Sequence, residues 1–294
     1  MAAETGDRRL PTGWRLVIHG LITLGLLLVL SVVASVAFVV LGAFVPIGWG
    51  VMIAVSSVVS AVVFVGGSYL ARRFLDRRSF VSLGFAIDRH TLPDLLVGFL
   101  IPLPMMSAVF LIESSMGWIL WEGWAWQEAT AASVILGLAG GLVLFIGVGI
   151  AEETMSRGYQ LQNLAEGIGL PKALLVSSGL FSVLHVLNPG FNLRAAVGLL
   201  LAGLFLASGW VWTRRLWLSI GLHIGWNFFE GTIFGYAVSG LGLFRLMLHS
   251  DGGPEWATGG VFGPEAGLML LPALAVGTPL VWLYARNRLR QANP

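Results

Sequence analysis

Residues 16–45 read LVIHGLITLGLLLVLSVVASVAFVVLGAFV, thirty positions without one charged side chain. A run of about 20 apolar residues is enough to cross a bilayer as a helix. This run follows Arg8, Arg9 and Arg15, the order of a secretory leader, but a leader's apolar core spans only about 7–15 residues. The stretch therefore reads as a retained membrane helix, long enough to tilt or bend. Its only polar members are His19, Thr23, Ser31 and Ser35, and His19 reads as a polar group satisfied within the bundle.

Working outward, the whole chain obeys the same rule. Of 294 residues, 56% are hydrophobic and 11% are Asp, Glu, Lys or Arg, against about 25% charged in a soluble domain. The mean hydropathy is +0.85. Too little charge is present to cover a water-facing surface, so a soluble enzyme, a disordered chain and a nucleic-acid-binding domain are excluded. The bilayer is the implied partner. There is no cysteine, which removes disulfides, thiolate metal sites and a cysteine nucleophile.

Eight apolar segments emerge at about Leu16–Val45, Gly48–Leu70, Leu92–Leu111, Ala132–Met155, Ala173–Leu187, Ala195–Thr213, Leu216–Val238 and Ala266–Ala285. The expected fold class is all-α: a polytopic membrane helix bundle of about eight transmembrane helices, forming one integral membrane domain over residues 1–294. Eight crossings put both ends of the chain on one side. Of the 17 cations, 15 then fall on that side and only Arg194 and Arg245 on the other. Cytoplasmic loops are the ones enriched in Lys and Arg, so both termini are expected in the cytoplasm and the protein in a bacterial or archaeal cell membrane. The basic pI near 9.4 is accordingly a topology signal, with added attraction to anionic lipid.

Local features agree. Trp118, Trp121, Trp124 and Trp126 with Glu122 and Glu128 read as an aromatic belt at the outer interface. Residues 72–94 mix Arg77, Arg78, Asp88 and Arg89 with Phe80, Val81, Leu83 and Phe85, as an amphipathic element on the cytoplasmic surface would. Pro102 and Pro104 are expected to kink the third span. Gly137 and Gly141 form a small-residue face for close approach on the fourth. His90 and His249 fall in loops.

Ionisable groups at membrane depth are costly and by default point to function. Three helices carry them: Glu152, Glu153 and Arg157 on the fourth span, His185 on the fifth, and His223 and Asn227 on the seventh, with Glu230 about a turn beyond. Glu153 and Arg157 are four apart and share a helix face. Glu152 lies about 100° round the helix from Glu153, so one carboxylate can be held by Arg157 while the other is free. His223 and Asn227 also share a face. At about 1.5 Å per residue these groups reach similar depths in the inner half of the bilayer. Two carboxylates, two imidazoles and an amide suit activation of water and stabilisation of an oxyanion, and so hydrolysis of an amide without a serine or cysteine nucleophile. Glu152, His185 and His223 are also candidate zinc ligands, although HExxH is absent. Structural readings compete at each site: an ion pair at the membrane edge for Glu152, Glu153 and Arg157, and interhelical hydrogen bonding for the histidines and Asn227.

EExxxR at Glu152–Arg157, FxxxH at Phe181–His185 and HxxxN at His223–Asn227, in this order on apolar segments, resemble the CPBP family. This is the CAAX-protease and bacteriocin-processing (Abi) group of intramembrane proteases, which includes the type II CAAX prenyl endopeptidases. The resemblance covers about Asp94–Gly240 and takes in Trp226–Phe229 and Phe234–Gly240. It implies a membrane endopeptidase in which Glu152 activates water and His185 helps to bind it. His223 and Asn227 would stabilise the oxyanion or complete a metal site, and Glu153 and Arg157 would orient the first motif. It implies peptide or membrane-protein substrates, prenylated CaaX-type chains among them, and leaves zinc against a metal-free mechanism open. Two other classes use the same groups: a proton-coupled transporter, whose polar residues would extend through both leaflets, and a non-catalytic immunity or scaffold protein that captures a peptide.

Overall fold

The computed structural model describes residues 9–45 and 49–292. Arg8 and Gly48, which begin a flanking cation run and an expected span, lie outside the described residues. In chain order the elements are α1 (Thr12–Gly42), α2 (Trp49–Phe74), α3 (Thr91–Leu100), α4 (Pro102–Ser115), β1 (Ile119–Trp124), α5 (Ala125–Glu128), α6 (Ala131–Glu153), α7 (Leu161–Ile168), α8 (Leu170–Val183), α9 (Leu193–Thr213), α10 (Trp217–Asn227), β2 (Met247–Asp251), α11 (Glu255–Thr258) and α12 (Leu270–Ala292).

The result is a polytopic helical bundle embedded in a membrane. Among the described residues five segments are long and apolar enough to cross: Thr12–Gly42, Val55–Phe74, Thr91–Ser115, Ala131–Ile168 and Leu193–Thr213. The remaining apolar helices are α8, α10 and α12. α10 is only 11 residues long, and every residue from Leu218 to Asn227 is buried. Protein rather than lipid surrounds it, so bilayer thickness does not set its length.

α1 shows how lipid inverts the usual pattern. Val17, Leu21, Leu24, Leu28, Val29 and Val32 are exposed, while Arg15, His19 and Thr23 are buried. These three lie four apart and form one inward stripe. His19 Nε2 lies 3.3 Å from Ser68 Oγ, and its ring packs on that of Tyr159 at 4.3 Å, tilted by 31°. Arg15 Nη1 donates to Asp76 Oδ1 at 3.0 Å, and Arg72 Nη1 to Asp76 Oδ2 at 2.8 Å. Arg9, Arg15 and Arg78 all pair with Glu166. At the start of α3 and the end of α12, Asp94 accepts from Tyr284 at 2.8 Å and pairs with Arg288 at 3.0 Å. These cations thus also act as clasps, one set tying α1 to α2 and α7 and another tying α3 to α12.

The span 91–115 is interrupted at Ile101, whose own backbone stays helical, with Pro102 opening α4. Proline at the first helical position lacks only an N–H that would be unsatisfied anyway. Residues 80–83 form a single 3-10 turn. Leu83 is fully buried, and Leu216 N donates to Gly84 O at 3.1 Å, which docks this loop against the start of α10. At the other end β1 and β2 pair antiparallel with a register shift between Trp121 and Gly123. The tryptophan-rich stretch is this two-stranded sheet, with Trp124 and Trp126 stacked at 4.5 Å. His249 sits buried in β2 with Nε2 2.7 Å from Phe234 O, an anchored strand residue and not a loop histidine. Burial holds its pKa below the ordinary histidine value.

α10 is seated by its glycines. A Cβ on Gly225 would stand 2.1 Å from Phe99 O, and one on Gly98 2.6 Å from Leu218 O. Only glycine allows α3 and α10 to touch backbone to backbone, the small-residue packing of membrane helices. This contact fixes the depth of His223 and Asn227. Gly137 and Gly141 on α6 are approached by Phe244 and Thr232, from a loop and a π turn rather than from a regular helix.

Candidate active site

Two of the three motif helices widen just beyond their polar residues. α6 passes into a π-helical segment at Thr154–Gln160, and α10 into another at Phe228–Ile233. Such segments insert an extra residue into the turn and concentrate at functional sites. Arg157 lies within the first, fully buried with Tyr159.

The two glutamates divide as their angular separation requires. Glu153 is fully buried. Its Oε1 accepts from Arg157 Nη1 at 2.7 Å and faces His223 Nδ1 at 2.8 Å. Paired with an arginine, Glu153 is a carboxylate and can only accept, so Nδ1 of His223 carries the proton. Arg157 spends a second donor on Gly203 O in α9 at 2.8 Å, and its guanidinium lies 4.5 Å over the Phe181 ring. Glu152 keeps a side chain 20% exposed, and its Oε2 stands 3.9 Å from His223 Nε2. That separation is too long for a direct hydrogen bond and suits a shared small molecule such as water.

His185 arrives differently from the expected helix. α8 ends at Val183, where the chain tightens into turns closed by His185 N to Ser182 O and Val186 N to Val183 O, and His185 sits on the first of them. Its Nδ1 lies 2.9 Å from Phe181 O. A carbonyl only accepts, so Nδ1 carries the proton and Nε2 of the neutral ring is left as an acceptor. Phe181 packs between the pieces, 4.9 Å from the His185 ring and 6.0 Å from that of His223.

Glu152, His185, His223 and Asn227 line one cavity of about 800 Å³, within the range of ligand sites. Its other walls are mostly apolar, among them Leu24, Leu27, Phe64, Leu144, Val148 and Leu241. Glu153 and Arg157 stand behind Glu152 and His223. Glu230, about a turn beyond Asn227 in the chain, is wholly buried away from the lining, with the Trp226 indole as its side-chain neighbour. One cavity carboxylate escaped the sequence reading: Glu265, which lies just outside the last apolar run, on the turn Pro264–Ala266. Glu152, His185 and His223 were the candidate zinc ligands. Among the described residues no three His, Cys, Asp or Glu side chains stand close enough together to hold a metal ion. The contact of His223 Nδ1 with Glu153 leaves its Nε2 facing Glu152, the orientation that a carboxylate-held metal ligand also takes.

The polytopic helical bundle thus gathers carboxylates and imidazoles on one cavity. Residues 133–229 match the family described as Rce1-like, type II CAAX prenyl endopeptidase Rce1-like. The segment that holds all three motifs therefore carries a domain of the CPBP/CAAX protease family, as its motifs indicated. The match supports CAAX-type intramembrane endopeptidase activity in general. No curated protein matches the chain.

Proposed function

We propose that the protein hydrolyses a peptide bond of a membrane-associated substrate, a prenylated CaaX-type chain by family analogy, with a water activated by Glu152. The observation that carries this is the division of labour between the adjacent carboxylates. Glu153 is consumed by Arg157 and His223, and of the two neighbours it is Glu152 that opens to the cavity.

The water would sit between Glu152 Oε2 and the Nε2 atoms of the two imidazoles. Glu152 takes its proton as the water oxygen attacks the scissile carbonyl. His185 Nε2 accepts a hydrogen bond from the water and orients it. His223, held at Nδ1 by Glu153, is stabilised as an imidazolium and donates from Nε2 to the oxyanion, with the Asn227 amide as a second donor. Glu152 then returns the proton to the leaving amine, which balances the reaction. The apolar walls suit an acyl or prenyl chain beside the peptide. The proposed setting is the cytoplasmic membrane, with the cation-rich end and both termini in the cytoplasm and the catalytic core within about 94–240 of a single domain.

The test is a comparison of membrane peptides from cells carrying the wild type and Glu152→Ala. Membrane-protein cleavage products that vanish in the variant support the reading. An unchanged set of products, with both proteins inserted to the same level, refutes it.

A further inference from the structure

His185 is the least anchored member of the site by its own helix. It lies beyond the end of α8, on a turn whose position other parts of the chain must set. The next polar residue along the turn, Asn188, donates its backbone N–H to His185 O at 2.9 Å. Its side-chain Nδ2 donates to Ser239 O at 2.9 Å. Ser239 belongs to the segment after α10 and stands at φ +47°, a left-handed conformation that a non-glycine residue holds only when its surroundings enforce it. What enforces it is Glu265. One oxygen, Oε2, accepts from both Ser239 N at 2.9 Å and Ser239 Oγ at 2.5 Å. Gly240 N donates to Phe262 O at 2.9 Å, tying the same two segments a second time.

Glu265 is itself fixed. It is buried, and its backbone presses on α9 so closely that a Cβ on Gly198 would fall 1.7 Å from Glu265 O. Asn188, Ser239 and Glu265 all line the cavity with His185. The chain of contacts thus runs from α9 through Glu265, Ser239 and Asn188 to the turn that presents the imidazole.

We propose that Glu265 is a positioning residue for His185, acting through Ser239 and Asn188. This rests on the reading of His185 as the group that orients the water. The role is geometric: Glu265 supplies a fixed acceptor, and the strained Ser239 passes that constraint to the turn. Glutamine retains a side-chain carbonyl that can accept from Ser239, and alanine does not. The two substitutions therefore separate geometry from charge.

The test uses the full chain in detergent micelles and two readouts. The first is the imidazole nitrogen resonances of histidine-labelled protein, with His185 assigned by its loss in His185→Gln. Glu265→Ala, Ser239→Ala and Asn188→Ala are expected to shift or broaden the His185 signal. Glu255→Gln, an exposed carboxylate on the same stretch of chain, leaves it in place. An unmoved His185 signal in Glu265→Ala overturns the proposal whether or not the protein cleaves anything. Should Glu265→Ala fail to fold, Ser239→Ala and Asn188→Ala decide the point.

The second readout is cleavage of a farnesylated peptide ending in a CaaX sequence. A small displacement of a catalytic group costs up to about 100-fold. Glu265→Ala is expected to lower kcat by about 10- to 100-fold with KM within about twofold of wild type, and Glu265→Gln to restore most of it. A glutamine variant as inactive as alanine overturns the positioning role in favour of a charge effect. A wild type that cleaves nothing counts against the proposed activity, while the resonance readout still decides the role of Glu265.

Discussion

Replacing Glu153 by alanine is expected to damage the fold, whereas replacing Glu152 is expected to damage only the chemistry. Glu153 is fully buried, and its Oε1 is the shared acceptor for Arg157 at 2.7 Å and His223 at 2.8 Å. Its removal leaves a guanidinium that is 1% exposed with one carbonyl, Gly203 O, and one aromatic face, Phe181. Orphaning one member of a buried ion pair costs about 3–5 kcal/mol. The remaining carbonyl bond and the cation–π contact, worth about 0.5–2 kcal/mol, put the expected loss near the lower end of that range. Glu152 offers only a 3.9 Å contact to His223 and keeps cavity access. Its truncation is expected to cost less than about 1 kcal/mol, the scale of a partly solvated pair. Denaturant unfolding in mixed micelles, followed by the fluorescence of the 12 tryptophans, measures both. A Glu153→Ala protein within about 1 kcal/mol of wild type, or a Glu152→Ala protein as unstable as Glu153→Ala, would refute the division of roles.

Other outcomes follow from the same geometry. Gly225→Ala places a methyl 2.1 Å from Phe99 O; it should force α10 off α3 and lower both stability and activity, and an unaltered protein would show that the helices can part freely. Asp88, in the loop outside the spans, is held below the ordinary carboxylate value of 3.8 chiefly by the His90 N–H, which outweighs the opposing effect of desolvation, with the Arg215 charge adding to it. A depressed folded pKa contributes stability above the unfolded value and loses it as pH falls through the folded one. The advantage of wild type over Asp88→Asn in unfolding midpoint should therefore be constant near neutrality, begin to fall as the pH drops through about 3.8, and vanish below the lower folded value; an advantage that grows on acidification contradicts the assignment. Because the chain has no cysteine, single cysteines report topology without background. Arg77→Cys should react with an impermeant thiol reagent only from the cytoplasmic face and Glu122→Cys only from the opposite one, and labelling of both from one face would overturn the orientation.

Much of the bundle was legible because lipid leaves a coarse imprint. Apolar runs marked the helices, and the polar residues on α6, α10 and the turn after α8 stood out against them. The i, i+4 spacing foretold that Glu153 would meet Arg157 and that Glu152 would point elsewhere. The rest depends on what periodicity does not encode. Nothing in TMSRGYQ or FFEGTI announces a π turn, since the extra residue is stabilised by neighbours and not by local preference. The tryptophan-rich segment lacks the strict alternation of a half-buried strand, so its pairing with β2 was hidden. Arg15 looked like a flanking charge, yet its partners Asp76 and Glu166 are 61 and 151 residues away. Glu265 was invisible for the same reason: a lone carboxylate beside a Gly-Pro turn acquires meaning only when the fold carries it to Ser239.

The central claim is that Glu152 activates the hydrolytic water and His185 orients it. Its most direct measurement is cleavage of a farnesylated CaaX peptide by purified wild type, Glu152→Ala and His185→Ala in proteoliposomes, each first matched for helicity and insertion. The expected result is a single cut by wild type and loss of that cut in both variants. A Glu152→Ala protein that cleaves at the wild-type rate would contradict it.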